Sequence, residues 1–331
     1  DLRCCEACES NICCMFGFSF YIQFHNAEKR GIDFRGRFAW RMCLLFLFAQ
    51  LHALFYNGDI LLLYAVVGFA LIPVCKLKDK TVFWIALILL LQPYEWGRAI
   101  YAMINPDYVV ATGHYMPYAI RAQEVTANGN FFEVLCSNIS DGQLYSNIWQ
   151  VENGRLFQTA ALFMFGMLLG RRKYLIKSEE SVRFWKNMLK GAILAFIPLY
   201  CLKTFVPDLI TNPSMQIPYN IAVPSYANFT FMIILVSIFT LLWFKKEKGY
   251  GWQSLLIPYG RMSLTNYISQ SIMGVIIYYG FGLAMYKYAG ATASLLIALL
   301  IFTVQLIFSR WWLARHKQGP LEFLWRKGTW I

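Results

Sequence analysis

Apolar runs alternate with short polar segments along the whole chain, and the spacing is that of bilayer spans. The runs cover residues 12–24, 43–56, 60–75, 81–96, 156–170, 189–205, 221–244, 263–286 and 291–308. The first reads as the tail of a longer span. Several are short for a hydrocarbon core about 30 Å thick, so they are expected to extend into their flanks or to sit where the bilayer is thinned. Asn57-Gly58-Asp59 predicts a tight turn between the second and third runs. Residues 252–259 are amphipathic and predict a helix lying along the membrane interface, ended near Pro258. Between the fourth and fifth runs lies a long segment, 98–148, with Pro106, Pro117 and the turn pair Asp141-Gly142. It is expected as an outward loop, and loops of this length are uncommon unless they serve a function or fold over a site.

The charges sort with the same rhythm. Lys and Arg crowd residues 29–41, 76–80, 171–190, 245–261 and 310–327, while the turn at Asn57 and residues 207–219 carry none. Basic residues near span ends stay cytoplasmic. The expected fold is therefore an all-α polytopic membrane protein with about nine transmembrane helices and a cytoplasmic C-terminus. Composition agrees, with 58% hydrophobic and 15% charged residues among 331. The net charge of +12 sits in inward loops, where it meets anionic lipid headgroups. No nucleic-acid reading motif accompanies it, so nucleic acid is not an expected partner.

Five of the nine cysteines, Cys4, Cys5, Cys8, Cys13 and Cys14, fall in residues 1–14. No histidine or second CxxC accompanies them, so neither a metal site nor a disulfide framework is read here. The expectation is an N-terminus that is truncated or misread. Residues 15–310 are expected as one helical bundle, and 311–331 as an interfacial tail rich in Trp and Arg. No metal and no tightly bound cofactor are expected. Lipids and a small-molecule or lipid-linked substrate are the expected partners, and the oligomeric state is left open.

Polar groups inside a membrane are costly, which makes each a functional candidate. His52 lies near the outer end of the second run and Asp59 in the turn after it. His52 reads as a buried, satisfied imidazole, or as a general base or nucleophile oriented by Asp59. Asp59 alone suits an N-cap of the third run. Glu95 with Arg98, and Glu152 with Arg155, are spaced to pair along a helix. They read as interface ion pairs, or as the wall of an outward pocket with Asp59, lidded by the long loop; His114 could join it. In the eighth run Asn266, Gln270, Gly274 and Tyr278 share one helical face. That stripe reads first as packing, with the glycine allowing close approach, and otherwise as a substrate path. Gly280 and Gly282 then loosen the helix near its outer end. On the cytoplasmic side Arg261, Glu322, Trp325 and Arg326 read as an interface anchor or a grip on a phosphate-bearing ligand, with Glu322 and Arg326 spaced for an ion pair.

Gly260-Arg261-Met262-Ser263-Leu264-Thr265-Asn266-Tyr267, continuing through Gln270-Ser271 to Tyr279-Gly280-Phe281-Gly282, resembles the YeiB-like family, also called domain of unknown function 418. Gly319-Pro320-Leu321-Glu322-Phe323-Leu324-Trp325-Arg326 resembles its C-terminal signature. Met15–Phe20, Leu51-His52-Ala53 and Gly58-Asp59-Ile60-Leu61 are similar to its N-terminal half. The resemblance implies a largely uncharacterised bacterial protein, multi-pass in the cytoplasmic (inner) cell membrane, with a fold related to membrane acyltransferases, which use acyl-CoA as co-substrate. It also implies a further first span bearing an Arg-Gly motif, in whose place the Cys-rich segment stands. The expected activity is transfer of an acyl group from acyl-CoA to an extracytoplasmic or lipid-linked acceptor, with His52 as base or transient acyl carrier. A transporter or flippase, and a non-catalytic membrane sensor module, are the alternatives.

Overall fold

The computed structural model describes residues 3–105, 107–245 and 251–329, with side chains from Asn11 onward apart from that of Trp252. Pro106, Lys246 and Lys248, and the thiols of Cys4, Cys5 and Cys8, lie outside this description. Every regular element in the described residues is helical. In chain order these are α1 (Arg3–Glu28), α2 (Arg35–Ala53), α3 (Leu61–Gly68), α4 (Leu71–Val74), α5 (Asp79–Leu90), α6 (Pro93–Ile104), α7 (Met116–Asn128), α8 (Phe131–Ser137) and α9 (Gln143–Glu152). They continue with α10 (Arg155–Arg171), α11 (Glu179–Phe205), α12 (Pro213–Lys245), α13 (Trp252–Arg261), α14 (Ser263–Tyr278), α15 (Ala291–Leu313) and α16 (Pro320–Thr329). The chain divides into two compact units. One holds residues 1–39, 63–113 and 150–246; the other holds 40–62, 114–149 and 247–331.

In the first unit α11 packs on α12, α1 on α10, and α10 on α5. The α1–α10 crossing is backbone to backbone. A Cβ on Gly17 would collide with the Phe163 carbonyl, and one on Gly166 with that of Cys14. Helices that associate without a hydrophobic drive use small residues in this way, gaining contact along the main chain. Phe16 stacks on Phe163 with centroids 4.5 Å apart, filling the space beside the glycines. Cys13, in the same stretch, donates to the Tyr64 hydroxyl at 3.2 Å.

The second unit packs α13 and α14 against α15, and α14 against α16. Its polar seam runs through Asn266, whose Nδ2 donates to the Tyr259 carbonyl and the Ser309 hydroxyl at 3.0 and 3.1 Å. Gln305 donates from Nε2 to the Asn266 carbonyl at 2.8 Å.

Among the described residues, three helical stretches are long and apolar enough to cross a membrane: Glu179–Leu209, Pro213–Lys245 and Ala291–Leu313. Leu296, Leu300 and Ile307 of α15 stand 63%, 64% and 65% exposed. An apolar helix with so little covered suggests a membrane protein whose outer faces meet hydrocarbon. Of the nine predicted spans, the sixth, seventh and ninth coincide with these stretches, while several of the other apolar runs are broken. Run 60–75 is two short helices, α3 and α4. Run 81–96 breaks at Gln92, held left-handed at φ 54° with Pro93 starting α6.

The segment 98–148, expected as a loop, is corrected to a largely helical one: α7, α8 and α9 occupy most of it, the last two joined by a π-helical turn at Asn138–Gly142. Asn130 explains part of the difference. Its side chain accepts from the Glu133 amide while the Glu133 carboxylate accepts from the Asn130 amide, a complete capping box opening α8. The pair Asp141-Gly142 continues the helical path rather than reversing the chain.

Candidate functional site

In the second unit, α2 ends at Ala53 and the chain turns through Asn57-Gly58-Asp59. The turn folds Asp59 back toward the last turn of α2. There Asp59 Oδ1 lies 2.8 Å from His52 Nδ1, and both side chains are almost wholly buried. The same oxygen accepts from the Leu61 amide at 3.2 Å and from the Tyr267 hydroxyl at 3.3 Å. Asp59 thus serves both roles its position allowed, since it steadies the start of α3 and orients His52. The Tyr267 ring also lies against the imidazole, with centroids 5.3 Å apart.

A carboxylate at Nδ1 selects the tautomer with the proton on that nitrogen and the lone pair on Nε2. His52 Nε2 is buried and has no hydrogen-bond partner among the described residues. A buried polar atom in this state calls for a ligand or a chemical role. The turn itself is braced from outside. Asn138 donates from Nδ2 to the Leu54 carbonyl at 3.0 Å, and the Tyr279 hydroxyl donates to Asn57 Oδ1 at 3.4 Å.

Tyr267, Asn138 and Tyr279 were not read from the sequence as parts of this centre. Tyr267 lies within the stretch Gly260–Tyr267 that carries the family resemblance, so position in a motif was the signal available. Asn138 offered none, because its partner is a backbone carbonyl 84 residues away.

The other candidates fall in both units. Glu95, Arg98, Glu152 and Arg155 belong to the first unit, and Asp59 and His114 to the second. His114 is exposed. Glu95 is 1% exposed and takes an ion pair from Arg98 at 3.2 Å, as the spacing predicts. Arg98 also donates to the Ala111 carbonyl at 3.1 Å. Glu152 closes α9 and Arg155 opens α10, so the two do not share a helix. Gly154, left-handed at φ 66°, separates α9 from α10. Glu152 Oε2 accepts from the Gly113 amide at 3.1 Å, and Arg155 donates to Gln158 at 3.4 Å. Gln92 ties the two helix breaks together, donating to the Gly154 carbonyl at 3.0 Å.

The α14 stripe is split as well. Asn266 is spent on packing, whereas Gln270 is exposed and Tyr278 half-buried. A Cβ on Gly274 would meet open space, so close approach at that glycine is corrected. Gly280 is the tight one: its amide donates to the Thr126 carbonyl at 2.9 Å, and a Cβ would strike the Ala127 carbonyl. Rather than loosening a helix, Gly280 and Gly282 lie in the turns beyond its end at Tyr278.

In the tail, Glu322 is not paired with Arg326. Its carboxylate accepts from the Thr265 amide at 3.0 Å and the Thr265 hydroxyl at 2.6 Å, covering the first turn of α14. Arg326 donates to Gln318 at 3.4 Å instead. Arg261 donates to the Lys317 carbonyl at 2.8 Å, and the Arg41 guanidinium sits 4.4 Å from the centre of a Trp325 ring. These residues tie the tail to α2 and α14.

Residues 169–331 match the model of a family described as protein of unknown function (DUF418). The uncharacterized protein YxaH of Bacillus subtilis (strain 168) is 28% identical over 331 residues, spanning 96% of this chain and 77% of its own. An uncharacterized 39.9 kDa protein in the amylase 3′ region of Bacillus acidopullulyticus is 28% identical over 317 residues, with 95% and 77% covered. The uncharacterized protein YeiB of Escherichia coli (strain K12) is 36% identical over 70 residues, 21% of this chain and 18% of its own. No solved structure matches. With residues 169–331 matching the family model and these relatives beside it, the chain is similar to the YeiB-like DUF418 family.

Proposed function

We propose that this is a multi-pass protein of the cytoplasmic membrane, with about nine spans and a cytoplasmic C-terminus, that transfers an acyl group from acyl-CoA to a hydroxyl or amine acceptor. The observation that carries the reading is His52, held by Asp59 at 2.8 Å with its Nε2 buried and without a hydrogen-bond partner among the described residues. In the proposed step, Nε2 takes the proton of the acceptor O–H or N–H as that atom attacks the thioester carbonyl. The C–S bond breaks, and the proton passes from the imidazolium to the departing thiolate, giving free coenzyme A thiol and an ester or amide. Asp59 favours the imidazolium that forms, and Tyr267 holds the carboxylate in place by donating to it. Burial of the pair excludes competing water, which favours transfer over hydrolysis.

The test is thiol release and label transfer from radiolabelled acetyl-CoA by the purified protein in nanodiscs. Release by the wild type that is lost in His52→Ala, with unchanged thermal unfolding, supports the reading. Full release by His52→Ala removes His52 from the mechanism. Absence of release together with solute uptake by sealed vesicles without acyl-CoA overturns acyl transfer in favour of transport.

A further inference from the structure

The first unit holds a second feature, remote in sequence from His52: a chamber of about 650 Å³ along α5. Its size falls in the ~300–1,000 Å³ range of small-molecule sites. The walls are apolar, with Phe83, Leu87 and Leu90 of α5 facing Phe229 and Met232 of α12. Charge is confined to one end, at Asp79, Lys80 and Arg172. Asp79 is already neutralised, taking ion pairs from Arg171 Nη1 and Arg172 Nε, both at 3.0 Å. The rim therefore keeps positive charge: among the described residues Lys80 makes no ion pair, and Arg172 engages Asp79 through Nε, leaving its outer nitrogens out of that contact. Arg172 is aimed by this contact, while its side chain stays 58% exposed.

Tyr174, Phe184 and Trp185 line the chamber beside Arg172. Lys173 adopts the left-handed conformation at φ 56° just past α10, with the Tyr174 amide donating to the Leu169 carbonyl. Such a turn ordinarily uses glycine. It brings Tyr174 onto Phe184, stacked at 3.9 Å, and lets Trp185 Nε1 donate to the Tyr174 carbonyl at 2.8 Å.

We infer that this chamber binds one acyl chain of an anionic phospholipid drawn from the cytoplasmic leaflet, with the headgroup phosphate on Lys80 and Arg172. The dimensions match. The chamber runs from Asp79 to Leu90, the length of a 12-residue helix. At 1.5 Å per residue that is ~18 Å, close to one leaflet of a ~30 Å hydrocarbon core. The sign matches as well, since a guanidinium beside an ammonium suits a phosphate and has nothing to offer choline. The source is the bilayer because the walls belong in part to α11 and α12, two of the helices suited to crossing it. The inference rests on the membrane reading above and not on acyl transfer. Recovery of each variant with the membrane fraction tests that reading separately.

The experiment is native mass spectrometry of the full chain in detergent, titrated with dioleoyl-phosphatidylglycerol or dioleoyl-phosphatidylcholine. The wild type is expected to retain one phosphatidylglycerol about tenfold more tightly than phosphatidylcholine, equivalent to ~1.4 kcal/mol. The double variant K80Q/R172Q is expected to bring the two lipids within about twofold of each other. Leu87→Trp fills the chamber and is expected to abolish tight binding of both; Leu87→Phe, a smaller change, gives the same direction if the tryptophan variant unfolds. Equal retention of the two lipids by the wild type overturns the inference, as does a preference unchanged in K80Q/R172Q. So does a headgroup preference that survives a folded chamber-filling variant, because the chain would then lie elsewhere.

Discussion

His52 and Asp59 are seven positions apart, and a turn between them suffices to bring an imidazole onto a carboxylate. That proximity could be anticipated from Asn57-Gly58-Asp59, because such a turn returns the chain along the helix it leaves. Tyr267 is 208 positions from Asp59, and no local spacing encodes that meeting. The three residues rank differently in the proposed chemistry, and their variants are expected to rank with them. His52→Ala should lower thiol release by about 10²–10⁴-fold, the usual worth of a positioned general base. Asp59→Asn should lower it as well and shift the pH profile, since the amide cannot stabilise an imidazolium. Tyr267→Phe keeps the ring and loses one hydrogen bond, so its effect should be the smallest. If Tyr267→Phe proved as damaging as His52→Ala in a folded protein, the tyrosine rather than the histidine would be the proton-transfer group.

Helices extend past the apolar runs where polar residues supply their own ends. Hydropathy starts the sixth run at residue 189, yet α11 begins ten residues earlier. There the Ser178 hydroxyl accepts from the Ser181 amide at 3.0 Å, and Glu179 and Glu180 occupy the first turn. The opposite error, a run broken in two, arises at Gln92. Its left-handed backbone is held by Gly154, 62 residues away, and hydropathy has no access to that. Helix starts are also where local stability can be tested. Asn130→Ala removes half of the capping box and should cost about 1 kcal/mol of local stability, read as faster hydrogen exchange across 131–137 with the remainder unchanged. Asp33 gives a pH test outside the spans. Hydrogen bonds from the Arg35 side chain, then from its amide, bring the Asp33 carboxyl down from 3.8 to about 2. A lowered carboxylate pKa stabilises the folded state above its unfolded value and loses that contribution as pH falls toward the folded one. Order at the start of α2 should therefore be pH-independent above about 4 and decline between about 4 and 2, with exchange rates corrected for intrinsic chemistry. Unchanged protection down to pH 2 would sink this account.

Charge distribution gives the chain its expected orientation, and that is testable without knowing the reaction. Cysteines placed at Lys78 and Lys177 should react with a membrane-impermeant maleimide only in inverted vesicles, and one placed at Asp107 only in right-side-out cells. Labelling of Asp107 and Lys78 from the same side would remove a span between them. The packing of the first unit supplies a second test at this scale. Gly166→Val and Gly17→Val each drive a branched side chain into a carbonyl of the facing helix. Either should cost several kcal/mol, more than the usual ~0.5–3 kcal/mol of a point change, and reduce the folded yield.

That crossing has a consequence for how the protein is made. The backbone that receives Gly17 sits in α10, so at ~5–20 residues per second it leaves the ribosome roughly 7–30 s after α1 does. For that interval α1 must wait with its glycine face uncovered, against lipid or against whatever part of the insertion machinery shelters it. The early helices therefore cannot complete their unit in the order in which they are synthesised, and the yield of folded protein should depend on how long nascent α1 is protected.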